Sequence, residues 1–379
     1  MNKLSEFEFD LYKLREKMEE IHKTGTWDSK IQEEVERLTE IGQSMEKEIF
    51  HNFYLKHPEY FKMEGSFYIY PEFFEEDIRR ILPLRNREFL LFGGHGLTAF
   101  IRQEDHHLKV ERISGFEGHI YDCSKVGEQE VIVVGEYGEI KVLEEDKGTW
   151  KYKELIYSGK ESLYGVLSLS KDKFLLLGDE GLALLVERND YTLKTLDIWK
   201  GSTQTWQTGI VRNKQECFLF GSQGKTLLLQ IKDDHFYKSK EIYGFQKKIY
   251  SVKKINHGYL VLGGNGETRI LYYDGSWKYG HEIEGFRELI YDGAFLDQEN
   301  LLVVGAKKRC MHLYFHNGFW KYGESFQGFP TFISAIEKTG KDEFLLAGWS
   351  GRLARLNISL PRSNKEYIDR IKRETGAFF

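Results

Sequence analysis

Seven times between residues 89 and 356 the chain repeats one phrase: an apolar run, a glycine, two residues, usually a second glycine, and another apolar run. The copies are FLLFGGHGLTAFI (89–101), VIVVGEYGEIKVL (131–143), FLLLGDEGLALLV (174–186), CFLFGSQGKTLLL (217–229), YLVLGGNGETRIL (259–271), LLVVGAKKRCMHL (301–313) and FLLAGWSGRLARL (344–356). Their first glycines, Gly93, Gly135, Gly178, Gly221, Gly263, Gly305 and Gly348, stand 42, 43, 43, 42, 42 and 43 residues apart. So even a period means one structural unit iterated. A unit of this size cannot bury its own apolar face and must stack on its neighbours.

Each phrase reads as two short strands joined by a tight turn, with glycine supplying the positive φ such turns need. A third strand follows about fifteen residues after each first glycine. It is plainest at Trp150-Lys151-Tyr152, Trp277-Lys278-Tyr279 and Trp320-Lys321-Tyr322, where turn residues such as Asp274-Gly275 precede it. Its alternation marks a half-exposed strand. A fourth strand, after a Gly-Phe turn, carries Ile120-Tyr121, Leu163-Tyr164, Ile249-Tyr250 or Ile290-Tyr291. Four strands in about 40–45 residues make a propeller blade. The fold class predicted is therefore all-β, a seven-bladed β-propeller over residues 61–360. The ring must close, because an open end would leave an unpaired sheet edge. The last repeat lacks its outer strand, and Gly65-Ser66-Phe67-Tyr68-Ile69-Tyr70 echoes Gly275-Ser276-Trp277-Lys278-Tyr279 near the N-terminus. Phe67 precedes Gly93 by 26 residues and Trp277 precedes Gly305 by 28. On this count residues 66–70 complete the seventh blade.

The second blade, GHIYDCSKVGEQEVIVVGEYGEIKVLE (118–144), resembles a WD repeat: Gly118-His119 precedes the inner strand and Gly138-Glu139-Ile140-Lys141-Val142 closes the motif. The blade at 244–271 resembles one more weakly. The resemblance implies a WD-like propeller over about 66–358. The closing Trp-Asp is absent throughout, with Leu143-Glu144 and Val186-Glu187 in its place, and Tyr137 stands where the family carries a turn aspartate. The His–Asp network that the family buries is therefore not implied here.

Outside the repeats, Leu4, Phe7, Leu11, Leu14, Met18 and Ile21 form one apolar helical seam, and Ile31, Val35, Leu38, Met45 and Ile49 form a second beyond Gly25. Residues 1–60 thus read as an α-helical hairpin arm, either packed on the propeller or docking elsewhere. Ser363-Asn364-Lys365-Glu366 matches a capping box, predicting a short C-terminal helix within 361–379. The formal net charge of −5 resides in residues 1–60, and the remainder is neutral. This balance argues against nucleic acid as partner. Three widely spaced cysteines suit a reducing compartment, and the absence of an apolar leader or spanning run points to the cytoplasm with no membrane partner.

The motifs of enzymes are missing. Asp146-Lys147-Gly148-Thr149-Trp150 echoes a sialidase Asp box but lacks its serine and reads as a hairpin turn. His106-His107 and His312/His316 are not spaced to converge on a metal from strands. No phosphate loop, dinucleotide fingerprint or nucleophile elbow occurs. No catalytic residue, metal ligand or cofactor is therefore assigned. What remains is the propeller face, where the inner strands are expected to bring Arg80, Tyr121, Tyr164, Trp206, Tyr250, Tyr291 and Phe332 to one level around the channel mouth. Asp122, Asp292 and Ser251 lie beside them. Such a ring suits protein or peptide docking, since Tyr, Trp and Arg dominate binding hot spots; it suits inter-blade packing equally. The leading expectation is a non-catalytic scaffold or adaptor that binds a protein or peptide. The alternatives are a hydrolase or lyase working in the central pocket, and a small-ligand or glycan sensor.

Overall fold

The computed structural model describes residues 63–359, apart from 86, 105, 106, 156, 158, 202 and 317, together with residues 33, 36–38 and 41. The chain divides into two units, Gly65–Ile358 and a second made of Met1–Glu64 with Ser359–Phe379. In the second unit residues 33, 36–38 and 41 are helical. The rest of the expected hairpin arm, and the C-terminal helix, lie outside the described residues.

Gly65–Ile358 contains seven four-stranded antiparallel sheets. Their first, innermost strands are Ile78–Pro83, Ile120–Lys125, Leu163–Ser168, Trp206–Asn213, Ile249–Ile255, Ile290–Phe295 and Ile333–Lys338, numbered here as blades 1 to 7. Blades 1 to 6 each run through four consecutive strands. Every second strand is an apolar run buried on both faces, as in Leu175, Leu176 and Leu177 or Leu301, Leu302 and Val303, all at 0% exposure. Burial of each such side chain contributes about 1.5–3 kcal/mol.

The repeated phrase folds as expected, but its two glycines do different jobs. The second carries the positive φ. His95-Gly96, Tyr137-Gly138, Glu180-Gly181 and their counterparts are consecutive left-handed residues, as a two-residue type I′ hairpin requires. Blade 6 makes the same turn with Lys307 and Lys308 (φ 54° and 63°), accepting strain where the second glycine is missing. The first glycine is extended and is needed for space: a Cβ on Gly305 would lie 1.9 Å from the Leu289 carbonyl oxygen, and one on Gly93 2.0 Å from that of Asp77.

The seventh blade is assembled from both ends of the repeat region: Ile333–Lys338, Glu343–Gly348 and Leu353–Ser359 are joined on the outside by Glu64–Ile69. A shared core links this blade to blade 1 through Ile78, Leu91, Ala335, Leu345 and Leu353, with Tyr70 and Phe74 packed in. The register at the seam differs by two residues from the sequence alignment. Phe67 packs over Gly328 as Tyr152, Tyr279 and Tyr322 pack over Gly115, Gly244 and Gly285, so it matches Tyr279 rather than Trp277. Tyr279 precedes Gly305 by 26 residues, the same interval as Phe67 to Gly93. The three tyrosines share hydrogen bonds with Thr98, Thr226 and Thr268 of the preceding blade at 2.6–2.7 Å. At the seam both hydroxyls are gone. Phe67 replaces the tyrosine, and the threonine position, opposite Val304, is the buried Cys310.

Candidate functional site: the mouth of the central channel

The inner strands share a bulge that sets what reaches the mouth. In blade 1 Ile78 pairs with Gly93 and Arg80 with Phe92, so Arg79 is the extra residue. The same slip leaves Tyr121, Tyr164, Gln207, Tyr250, Tyr291 and Ser334 as the extra residues of blades 2 to 7. A bulge sets two residues against one. It is made where the first glycine lets the strand close onto its neighbour's carbonyl. Before it, Ile78, Ile120, Leu163, Trp206, Ile249, Ile290 and Ile333 are core side chains at 0% exposure.

The ring at the mouth is therefore Arg79, Tyr121, Tyr164, Gln207, Tyr250, Tyr291 and Ser334, which corrects the expected level in three blades. Arg80 sits one residue deeper than its expected neighbours. Trp206 sits one residue earlier, enclosed against Trp199 at 5.9 Å, and offers no surface. Phe332 lies two residues before the ring position and packs on Trp349 at 4.6 Å. The missing signal was in the repeat itself. Arg79, Tyr121, Tyr164, Gln207, Tyr291 and Ser334 each precede the blade's first glycine by 14 residues, and Tyr250 by 13. The constant interval to that glycine marks Arg79 and Gln207 as the ring residues of blades 1 and 4.

All ring residues except Ser334, which is buried, are half-buried. Tyr121 and Tyr164 lie 4.6 Å apart, and Tyr250 and Tyr291 meet edge to face at 5.2 Å. The Arg79 guanidinium stands 5.1 Å over the Tyr121 ring, and the Lys248 ammonium 5.1 Å over Tyr250. Burial, and then the charge of Arg79, holds the Lys248 pKa below the ordinary lysine range. Burial raises that of the Tyr250 hydroxyl, and burial aided by Tyr250 that of Tyr291.

One residue deeper, the chemistry is already satisfied. Asp122 accepts from Arg80 Nε of blade 1 at 3.2 Å and from the Val166 N–H of blade 3 at 3.1 Å. Asp292 repeats the device: it accepts from Ser251 Oγ (3.0 Å) and Lys253 Nζ (2.8 Å) of blade 5, and from the Ile336 N–H of blade 7 (3.3 Å). Each aspartate thus ties three consecutive blades. Their titration differs. Burial raises the Asp122 pKa and Arg80 offsets it only in part, whereas at Asp292 burial is outweighed by Lys253 and Arg80, which hold the group ionised. Further down, burial and the nearby Asp292 charge push Glu337 up to about 7, with Lys253 and Lys125 pulling the other way.

The remaining sequence candidates are structural. Lys147 and Gly148 form a two-residue hairpin with positive φ, and Trp150 is buried. His312 uses its ring nitrogens on Asn300 (2.8 Å) and Glu324 (3.3 Å). His119 Nδ1 accepts from the His95 N–H at 3.1 Å, while Tyr137, at the position of the WD-repeat turn aspartate, is 75% exposed. Among the described residues no three His, Cys, Asp or Glu side chains gather to hold a metal ion, and no helix is long and apolar enough to cross a membrane.

The architecture is similar to that of the solved WD40 β-propeller domain of Doa1. The match has a TM-score of 0.62 and covers 80% of this chain and 99% of that one at 8% sequence identity. Likeness at that identity establishes the fold alone. No protein-family model matches the chain, and no curated protein matches it in sequence. The chain is a seven-bladed β-propeller, similar in fold to a WD40 propeller domain.

Proposed function

We propose that this protein is a non-catalytic binding scaffold that docks a protein or peptide on the channel mouth. One observation carries the reading: six half-buried side chains, four of them tyrosines, ring the mouth while Asp122 and Asp292 beneath are engaged in holding blades together. Aromatic groups that are part-exposed and held by packing offer contact area at low entropic cost. Asp122 and Asp292 below favour structure over catalysis, because a general acid or base must be free to reach substrate. Asp122 and Asp292 are each held by a cation and a neighbouring blade's N–H. The three cysteines are free thiols. Burial raises the Cys217 pKa to about 12, which leaves that thiol protonated and unreactive.

The test is affinity capture from the native host with the full chain and with a Tyr121→Ala/Tyr250→Ala variant of matched thermal stability. The variant is expected to lose the partners that the wild-type chain retains. Equal recovery by both would remove the mouth as the docking face.

A further inference from the structure

The loop leading into each inner strand has two backbone positions, three and two residues before the strand begins, whose N–H groups four blades cap with a carboxylate. In blade 2 Glu139 accepts from the Glu117 N–H at 3.1 Å and the Gly118 N–H at 3.0 Å. In blade 5 Glu267 accepts from the Gln246 N–H at 2.9 Å and the Lys247 N–H at 2.8 Å. In blades 1 and 3 the first N–H, that of Glu75 or Lys160, donates at 3.1 Å to the next residue's carboxylate, Glu76 or Glu161. A backbone turn that takes a carboxylate in four blades is an anion-binding turn. Blade 7 has Pro330 at the first position and so lacks that donor.

Blade 6 builds the same backbone frame and omits the carboxylate cap. Its Ala306 N–H donates to the Leu289 carbonyl at 2.9 Å, as Glu136 does to His119 (3.0 Å) and Gly264 to Lys248 (2.8 Å). Arg309 then stands four residues after the blade's first glycine, where Glu139 and Glu267 stand in theirs. Among the described residues the N–H groups of Arg287 and Glu288 have no acceptor. Glu288 holds the sequence position of Glu76 and Glu161, but its carboxylate, 10% exposed, turns to Arg309 Nε at 3.4 Å and Lys307 Nζ at 3.6 Å. It is the one acidic group in these two segments, against the cations Arg287, Lys307, Lys308 and Arg309. Lys308 also keeps a positive φ of 63° where the other six blades place glycine. Blade 4 has a cation at the Arg309 position too, Lys225, but Glu241 pairs with it at 2.6 Å.

We propose that the blade 6 loop binds a phosphate group, held by the Arg287 and Glu288 N–H groups and the side chains of Lys307, Lys308 and Arg309. Four cations against one carboxylate favour a ligand with nearly two negative charges over one with a single charge. The planar guanidinium of Arg309 matches two phosphate oxygens at once. No side chain of the tyrosine ring takes part, so this site goes beyond the docking reading and does not rest on it.

Isothermal titration calorimetry on the full chain tests this with inorganic phosphate, a peptide bearing one phosphoserine, the same peptide unphosphorylated, and acetate. Phosphate and the phosphopeptide are expected to bind, acetate about tenfold more weakly or worse, and the unphosphorylated peptide not at all. Tighter binding of the phosphopeptide than of inorganic phosphate assigns the group to a modified segment of a partner; the reverse order assigns it to free phosphate. Arg309→Glu gives blade 6 the capping side chain of blades 2 and 5, and should abolish binding while thermal stability is kept or raised. Lys307→Gln should weaken binding severalfold. The proposal is overturned if neither phosphate nor the phosphopeptide binds, if acetate binds as well as phosphate, or if Arg309→Glu leaves phosphate binding unchanged. The Tyr121→Ala/Tyr250→Ala variant separates this site from the docking reading. It should bind phosphate like wild type whether or not it captures a partner, and loss of phosphate binding there would move the anion to the ring and overturn the assignment.

Discussion

Tyr121 and Asp122 are consecutive residues, as are Tyr291 and Asp292, yet the members of each pair serve different ends. The first of each is the extra residue of a bulge, half-buried and resting on another aromatic ring. The second is spent on neighbouring blades through a cation and a backbone N–H. Regular alternation would send consecutive residues to opposite faces of the strand. The bulge interrupts that alternation, so a surface layer and a structural layer can lie one residue apart. Whether an inner-strand side chain meets solvent at the mouth or links blades is therefore decided by one residue's depth.

The sharpest way to break that contrast is to remove the deeper layer. Asp292→Ala leaves Lys253, the Ser251 hydroxyl and the Ile336 N–H without their acceptor. It should destabilise the protein by about 3–5 kcal/mol in denaturant titration, whereas Lys248→Gln at the mouth should change stability by less than about 0.5 kcal/mol. Comparable losses would mean that the two layers are not distinct.

Glu337 sharpens the contrast through pH. In an unfolded chain a glutamate titrates near about 4.3, while Glu337 keeps its proton until about 7. Below both values the group is protonated in either state and contributes nothing. Between them the folded state binds more protons, so stability falls as pH rises and the full penalty stands above pH 7. Glu337→Gln should remove that slope and stabilise the protein at alkaline pH by up to about 3 kcal/mol. Asp292, whose pKa is lowered, has the opposite sign: its stabilisation is present above the ordinary aspartate range and is lost as pH falls through its folded value. A urea-melt series across pH should resolve the two, with wild type and Glu337→Gln converging at acidic pH.

The smallest of the three effects tests the bulge itself. Gly305→Ala drives a Cβ to 1.9 Å from the Leu289 carbonyl oxygen, and the backbone must open at the bulge that presents Tyr291. A loss of about 1–3 kcal/mol in thermal melts is expected. At Gly221 the nearest atom would be at 3.0 Å, so Gly221→Ala should cost less. Equal costs would show that close approach at the bulge is not what this glycine supplies.

The number of blades, the strand pairs within them and the hairpin turns were legible in the chain because they are local. A period of 42–43 residues, apolar runs of strand length and turn glycines all act within one repeat. The candidate site was legible only in part. Tyr121, Tyr164, Tyr250 and Tyr291 were placed at the mouth from sequence, and Asp122 and Asp292 beside them. Arg79, Gln207 and Lys248 were missed, and Trp206 was misplaced, because an aromatic residue near the right position looks the same in a core as on a rim. The register of Phe67 slipped by two for a related reason: one aromatic outer-strand residue resembles another until its packing partner is known.

Iteration along the chain determined that this protein would be a ring of seven sheets, since each copy needs a neighbour on either side to bury its apolar faces. The tertiary structure alone decided which residue of each inner strand reaches the mouth. That depends on how closely Gly93, Gly305 and their counterparts let the backbone approach a carbonyl, and on which charges across the ring find partners. Both are contacts between residues distant in sequence, whose energies no single repeat contains.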